Sequence, residues 1–315
     1  MMRDVMRLKA SIATLLVCSA PWSIAARDRP PPIAAEAQDA PVFSARSELV
    51  VLDVLVRDRK NAYVAGLSQD AFTVEEDGVR QAIQFFAESG VSATVGLLID
   101  SSGSMTSEEE AVIAAVGAFA ETSNPEDQIF ALTFNDRVRS VLPPAISFTG
   151  DAPMLREALT QAFKPWGRTA LYDAIAAGFD YLERGTRQRK ALVIVSDGGD
   201  NASRTPLDQV VGKVEASNTV IHAVALTDRG ERDANPKILK SLAETSGGTS
   251  FQPGRHSQVR EALRLIAHDI RNSYTIGYVS TNTALDGRLR RIRVTAEATG
   301  GRDLRVRTRQ GYVAR

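Results

Sequence analysis

Residues Thr94–Met105 read Thr-Val-Gly-Leu-Leu-Ile-Asp-Ser-Ser-Gly-Ser-Met, and the fold is decided there. Val95–Ile99 is a short apolar run of the kind that forms a strand buried on both faces. It breaks at Asp100 into a polar turn, Asp100-Ser101-Ser102-Gly103-Ser104, and an alanine-rich helical pattern begins at about Thr106. One carboxylate and two hydroxyls thereby fall at the carboxyl end of a sheet strand, where α/β folds place their ligands. Ser102 and Ser104 sit two apart on an extended turn, so both oxygens can address one point. Oxygen-only donors at that spacing suit a hard cation such as Mg2+. The same residue types also build ordinary turns and helix N-caps. Taken alone, the pentapeptide leaves both readings open.

Working outward, strands and helices alternate from Val91 onward, the signature of a parallel sheet covered on both faces. Strands are expected at Thr94–Asp100, Asp127–Phe134, Ala191–Ser196 and Val220–Leu226, with an antiparallel edge at Val138–Leu142. Helices are expected at about Ser107–Thr122, Met154–Phe163, Ala170–Leu182, Leu207–Ser217, Pro236–Ser246 and Ser257–Arg271. The last carries Val259, Leu263, Ile266 and Ile270 on one stripe, which packs it on the sheet. The fold class is therefore α/β, a doubly wound and mostly parallel sheet flanked by helices. His222 lies inside an apolar run and reads as a core histidine rather than a ligand.

The flanks are β in character. Ser47–Arg57 alternates strongly, with apolar residues on both faces. A capped helical turn is expected at Leu67–Phe72, and a hairpin around Asp77-Gly78 joining Phe72–Glu76 to Ile83–Phe86. Asp53 and Asp58 read as solvent-facing or turn residues. Beyond the helices, Tyr274–Val279, Leu289–Glu297 and Leu304–Val313 are expected strands, with a turn at Thr299–Arg302. Neither flank is large enough to bury a core alone, so residues 43–90 and 272–315 are expected to pair, with residues 91–271 as an inserted α/β domain.

Residues 1–26 read as an export signal, with Arg3, Arg7 and Lys9 before an apolar core at Ala10–Val17 and small residues after it. That core is shorter than a spanning helix needs, and Pro21 interrupts it. Residues 27–42, with Pro30-Pro31-Pro32, read as a stiff linker. A secreted or periplasmic location follows as the expectation. Lys+Arg and Asp+Glu both number 38, so no overall field favours nucleic acid or an anionic membrane. The one cysteine, Cys18, lies in the signal segment, and the remaining chain is expected to use neither disulfides nor thiolate chemistry.

Two further polar breaks fall where the first one does. Gly167-Arg168-Thr169-Ala170 sets a threonine hydroxyl immediately before a helix, and Val195-Ser196-Asp197-Gly198-Gly199 sets a carboxylate at the end of a buried strand. Read separately they are an N-cap and a turn residue. Together, three loops bring Asp, Ser, Ser, Thr and Asp to the same edge of one predicted sheet. Over roughly Val91–Arg271 the chain resembles the von Willebrand factor type A domain with its metal-ion-dependent adhesion site, whose three motifs these segments match in order. The whole layout resembles a bacterial, acidobacterial-type family of such proteins, with an ELVVLDVLV lead-in (Glu48–Val56) and a closing Gly311-Tyr312.

The resemblance implies a metal site of Asp100, Ser102, Ser104, Thr169 and Asp197. Ser102 and Ser104 would coordinate directly, Thr169 directly or through water, and Asp100 and Asp197 mainly through metal-bound waters. The cation would be Mg2+, or Mn2+ or Ca2+, and an open position would take an Asp or Glu carboxylate from a protein partner. Arg168 departs from the family pattern, which commonly has a glycine there. It could point outward to the partner's acid, or fold over the site and weaken cation binding. The function expected is thus an exported, cation-dependent protein-interaction module and not an enzyme. A metal-free assembly module is one alternative. A serine hydrolase on Ser102 or Ser104 is another, but the chain lacks a G-x-S-x-G elbow and no histidine lies in a loop that obviously reaches the sheet's carboxyl edge, His256 being the best candidate.

Overall fold

The computed structural model describes residues 49–226, 233–255, 257–297 and 303–314. The expected signal segment and linker, His256 and the turn expected at Thr299–Arg302 lie outside the described residues. The alternation of the N-terminal flank forms β1 (Leu49–Arg57), which is mostly buried. A 3-10 turn at Gln69–Ala71 leads into β2 (Phe72–Glu76), β3 (Val79–Gln81) and β4 (Ile83–Ala87). The hairpin turn at Asp77-Gly78 has φ of 48° and 81°, as a two-residue primed turn requires. So tight a turn pairs Glu76 with Val79 at once, which makes Val79–Gln81 the partner strand instead of Ile83–Phe86. β4 leaves for another sheet, where Phe86 packs with Phe72 and Tyr274.

The α/β part follows as β5 (Ala93–Asp100), α1 (Glu109–Thr122), β6 (Gln128–Phe134), β7 (Val138–Ser140), α2 (Ala152–Ala162) and α3 (Leu171–Leu182). It continues through β8 (Arg189–Ser196), α4 (Leu207–Ala216), β9 (Val220–Ala225), α5 (Pro236–Ser246), β10 (Ser250–Phe251) and α6 (Ser257–Asn272). The sheet order is β10-β9-β8-β5-β6-β7, parallel except for the β7 edge. Val95, Leu97 and Ile99 join one core with α1, α2 and α6, while Leu98 joins a second core with α3, α4 and α5. The sheet is thus buried on both faces by a run with no polar interruption. Gly96 is required in that run, because a Cβ there would lie 2.3 Å from the Phe130 ring. β5 lies between β6, which follows it, and β8, which comes later, so the strand order reverses at its carboxyl end.

The chain closes with β11 (Tyr274–Val279), β12 (Leu289–Ala296), β13 (Arg305–Arg307) and β14 (Gly311–Val313). With the N-terminal strands they form two four-stranded sheets, β13-β1-β11-β4 and β14-β12-β2-β3. Leu52, Val54, Val74, Tyr274, Ile276 and Val294 lie in the core that the strands of both sheets share. The single strand expected at Leu304–Val313 is two short ones in different sheets. Between them Arg309 turns inward, buried, and donates to the carbonyls of Gly311, Ser217 and Glu215 and to Asn218 Oδ1.

Asp58 is a turn residue whose Oδ1 accepts from the amides of Lys60 and Ala62. Asp53 is not solvent-facing. Its carboxylate accepts from Arg189 Nε at 2.6 Å, in a pair whose side chains are 13% and 4% exposed. Alternation alone assigns a charged residue on a strand to the wet face, but here Arg189 at the start of β8 faces it. Arg189 also donates to the carbonyls of Val91 and Ile270 and to Ser273 Oγ. Beside it, Arg57 pairs with the buried Asp269 of α6. No helix among the described residues is long and apolar enough to cross a membrane.

His222 is buried on β9, and its Nδ1 accepts from the Thr249 amide at 3.2 Å. Burial, with Arg307 and Arg189 nearby, pushes its pKa down to about 3. The folded state therefore binds fewer protons than the unfolded chain below the ordinary histidine value. Its contribution is complete above about pH 6.5 and is lost as pH falls toward 3. Between pH 7.5 and pH 5 the loss is about 2 kcal/mol. Denaturant melts at the two pH values should show His222→Asn less acid-sensitive than the parent by about that amount, and equal acid sensitivity would refute the assignment.

Candidate metal centre

At the carboxyl end of β5 the chain turns sharply because Asp100 folds back on it. Asp100 is fully buried, its Oδ1 accepts from the Ser102 amide at 2.9 Å, and its Oδ2 accepts from Ser196 Oγ at 2.6 Å. One carboxylate thus ties the β5 turn to the end of β8. The turn continues as a 3-10 segment, Gly103–Glu108, with Met105 driven into the core, and α1 proper starts at Glu109.

The hydroxyls of Ser102 and Ser104 lie 3.1 Å apart, and Ser104 Oγ donates to Asp197 Oδ2 at 3.0 Å. Asp197 Oδ1 accepts from the Gly199 amide at 2.7 Å. Four of the five expected residues, Asp100, Ser102, Ser104 and Asp197, are thereby joined in one hydrogen-bonded set spanning two loops. Both aspartates do serve as turn residues, but each does so with one oxygen and turns the other toward the opposite loop.

Thr169 is buried one residue before the Ala170 cap of α3, and its hydroxyl makes no hydrogen bond to the other four residues. It does not cap the helix either. The first amides of α3 at Tyr172 and Asp173 are met by Asp200 Oδ1 and Ser203 Oγ from the loop after β8. Asn201 of that loop holds Thr169 by its backbone, accepting from the Thr169 amide at 2.9 Å and donating its own amide to the Thr169 carbonyl. The Thr169 loop is also fastened to the serine turn, through Gly103 N to Gly167 O at 3.2 Å and Trp166 N to Ser101 O at 3.0 Å. With the cap supplied from elsewhere, the hydroxyl is left available.

Arg168 is exposed and is held at its base by Asp136. Its Nε donates to Asp136 Oδ1 at 2.9 Å, and the guanidinium holds the Asp136 carboxyl below its usual range. Gly167 makes this possible, with φ of +79° and no Cβ to collide with Asp136 Oδ2. Ser196, Asn201 and Asp136 were not foreseen as participants. Ser196 could have been suspected from its place beside Asp197, whereas Asp136 and Asn201 carry no local signal.

Burial, with Asp197 adding to it, pushes the Asp100 carboxyl up to about 6, against the lowering effect of its hydrogen bonds from Ser102 and Ser196. A nearby cation would relieve that penalty. The donors are all oxygen, with neutral hydroxyls foremost and carboxylates held by hydrogen bonds behind them, and this set fits a small hard cation. Among the described residues no three His, Cys, Asp or Glu side chains gather as a cage, so the set resembles neither a zinc site nor a carboxylate-rich calcium loop.

Residues 95–199 match the von Willebrand factor type A domain family. Among solved structures the chain is similar to a von Willebrand factor type A protein from Catenulispora acidiphila, with 16% identity, 83% of this chain and 73% of that chain covered, and a TM-score of 0.50. It is also similar to the vWF domain of the type V pili tip protein Mfa5 from Porphyromonas gingivalis, with 14% identity, 58% and 96% coverage, and a TM-score of 0.48. Among proteins of curated function none matches.

Proposed function

We propose that the von Willebrand factor type A domain in this chain acts as a divalent-cation-dependent protein-interaction module of an exported protein, and that it binds an acidic residue of its partner. What carries the reading is the hydrogen-bonded set of Asp100, Ser102, Ser104 and Asp197 at the switch point of the parallel sheet. Ser102, Ser104 and Thr169 would hold the ion through neutral oxygens, and Asp100 and Asp197 would orient its waters. A divalent cation held this way keeps most of its charge and supplies an electrophilic position for a carboxylate from outside.

Binding is favoured over catalysis because the hydrogen-bond partners of the two serine hydroxyls are each other and a carboxylate, with no histidine or lysine among them. A metal-free assembly role is the alternative that one experiment separates. Calorimetric titration of the purified protein with MgCl2, after EDTA and dialysis, is expected to give one saturable site. Capture of partners from the source's envelope is expected in Mg2+ and not in EDTA. No cation binding, or capture indifferent to EDTA, would favour the metal-free role.

A further inference from the structure

Trp166 is the one tryptophan among the described residues and is 58% exposed, yet it does not stand on a loose loop. Its amide is bonded to Ser101 O, and the next residue's carbonyl accepts from Gly103 N. Its neighbour Arg168 is anchored to Asp136. The backbone on both sides of the indole is therefore fixed against the serine turn, while the ring itself faces water. A large aromatic exposed on a pinned backbone costs apolar hydration and serves no core. Such residues, with little conformational freedom left to lose, are the usual anchors of protein interfaces.

The surroundings say what kind of segment fits. Lys164, Trp166 and Arg168 are all exposed within five residues of chain, so the aromatic is flanked in sequence by two cations. Asp136 offsets the charge of Arg168 only in part, and that guanidinium remains 66% exposed. This segment borders the serine turn directly, through Trp166 N to Ser101 O. Extended chain advances about 6–7 Å per two residues. That advance is the spacing expected between a carboxylate at Ser102 and Ser104 and a side chain that covers the indole.

We propose that Trp166 is the specificity-determining anchor of this face, and that the partner presents an extended acidic segment with a bulky apolar side chain about two residues from the carboxylate that enters the site. This rests on the cation-dependent reading above. Trp166 supplies the apolar contact, and Lys164 and Arg168 attract further acidic residues of the segment.

The test uses full-length protein carrying Trp22→Phe, which leaves Trp166 as its only tryptophan. Displayed random nine-residue peptides with a fixed central Asp are selected on it in Mg2+. Selected peptides are expected to favour Leu, Ile, Phe or Trp near two residues from the Asp. A tryptophan-free member of the selected set should shift the Trp166 fluorescence to the blue. Trp166→Ala is expected to bind the same peptides about 10- to 30-fold more weakly, with calorimetric Mg2+ affinity unchanged. Peptides that bind Trp166→Ala within twofold of the parent, no apolar preference, or no selected peptide at all would each overturn the proposal. A parent that binds no Mg2+ but still selects Trp166-dependent peptides would keep the anchor and overturn the cation reading instead.

Discussion

Asp100→Ala is expected to weaken Mg2+ binding by about 10- to 100-fold, the usual loss when a residue that orients a metal's ligands is removed. Asp100 holds the Ser102 amide with one oxygen and Ser196 with the other, so its removal frees the two loops from each other. Ser104→Ala should give a loss of the same size by a different route, because it deletes a hydroxyl that now bridges to Asp197. Ser104 is only partly buried, which makes its effect on folding small. Thr106→Ala, on the same turn but bonded only to Gly103 O, is the control and should bind as the parent does. Calorimetry on the three variants reads the result directly, and parental affinity in Ser104→Ala would mean that its hydroxyl is no ligand.

The second large effect is on stability. Asp53→Ala is expected to cost about 3–5 kcal/mol, because it strands the buried Arg189 guanidinium without its ion-pair partner. Arg189 would keep the carbonyls of Val91 and Ile270 and the Ser273 hydroxyl, but its Nε would lose its acceptor and its charge the counterion. A drop of roughly 10 °C in the melting midpoint is the corresponding thermal shift. Asp53→Asn keeps an acceptor in place and should lose less. Since Asp53 meets Arg189 at the start of β8 and Asp100 stands at the end of β5, neither substitution should alter Mg2+ affinity. A loss under 1 kcal/mol would show that water reaches the pair.

Much of this arrangement is legible in the residues, and the failures have a common cause. Val95–Ile99 identifies a doubly buried strand because nothing polar interrupts it, and Pro236 and Gly247 bracket α5 at its bounds. Asp100, Ser102, Ser104 and Asp197 stand at strand ends, so strand recognition alone brings them to one edge. What pattern could not supply was the destination of long polar side chains. Asp53 reads as wet until Arg189, distant in sequence, is known to face it. Leu304–Val313 reads as one strand until Arg309 is seen to turn in. Arg168 offers two directions to the reader of the sequence, and the aspartate on the β6–β7 turn that holds it carries no local signal.

The sandwich draws its strands from both ends of the described chain, and this bears on how the protein is made. β1 pairs with β11, so Leu52 and Val54 have no partner strand there until Ile276 and Tyr274 exist. Arg57 and Tyr274 are separated by about 200 residues, on the order of 10–40 s of ribosomal elongation at about 5–20 residues/s. Throughout that interval a greasy, β-prone segment waits in the open while the α/β part can already condense behind it. Nascent chains arrested before Tyr274 should accordingly hold onto chaperones, and those released after Val313 should let go.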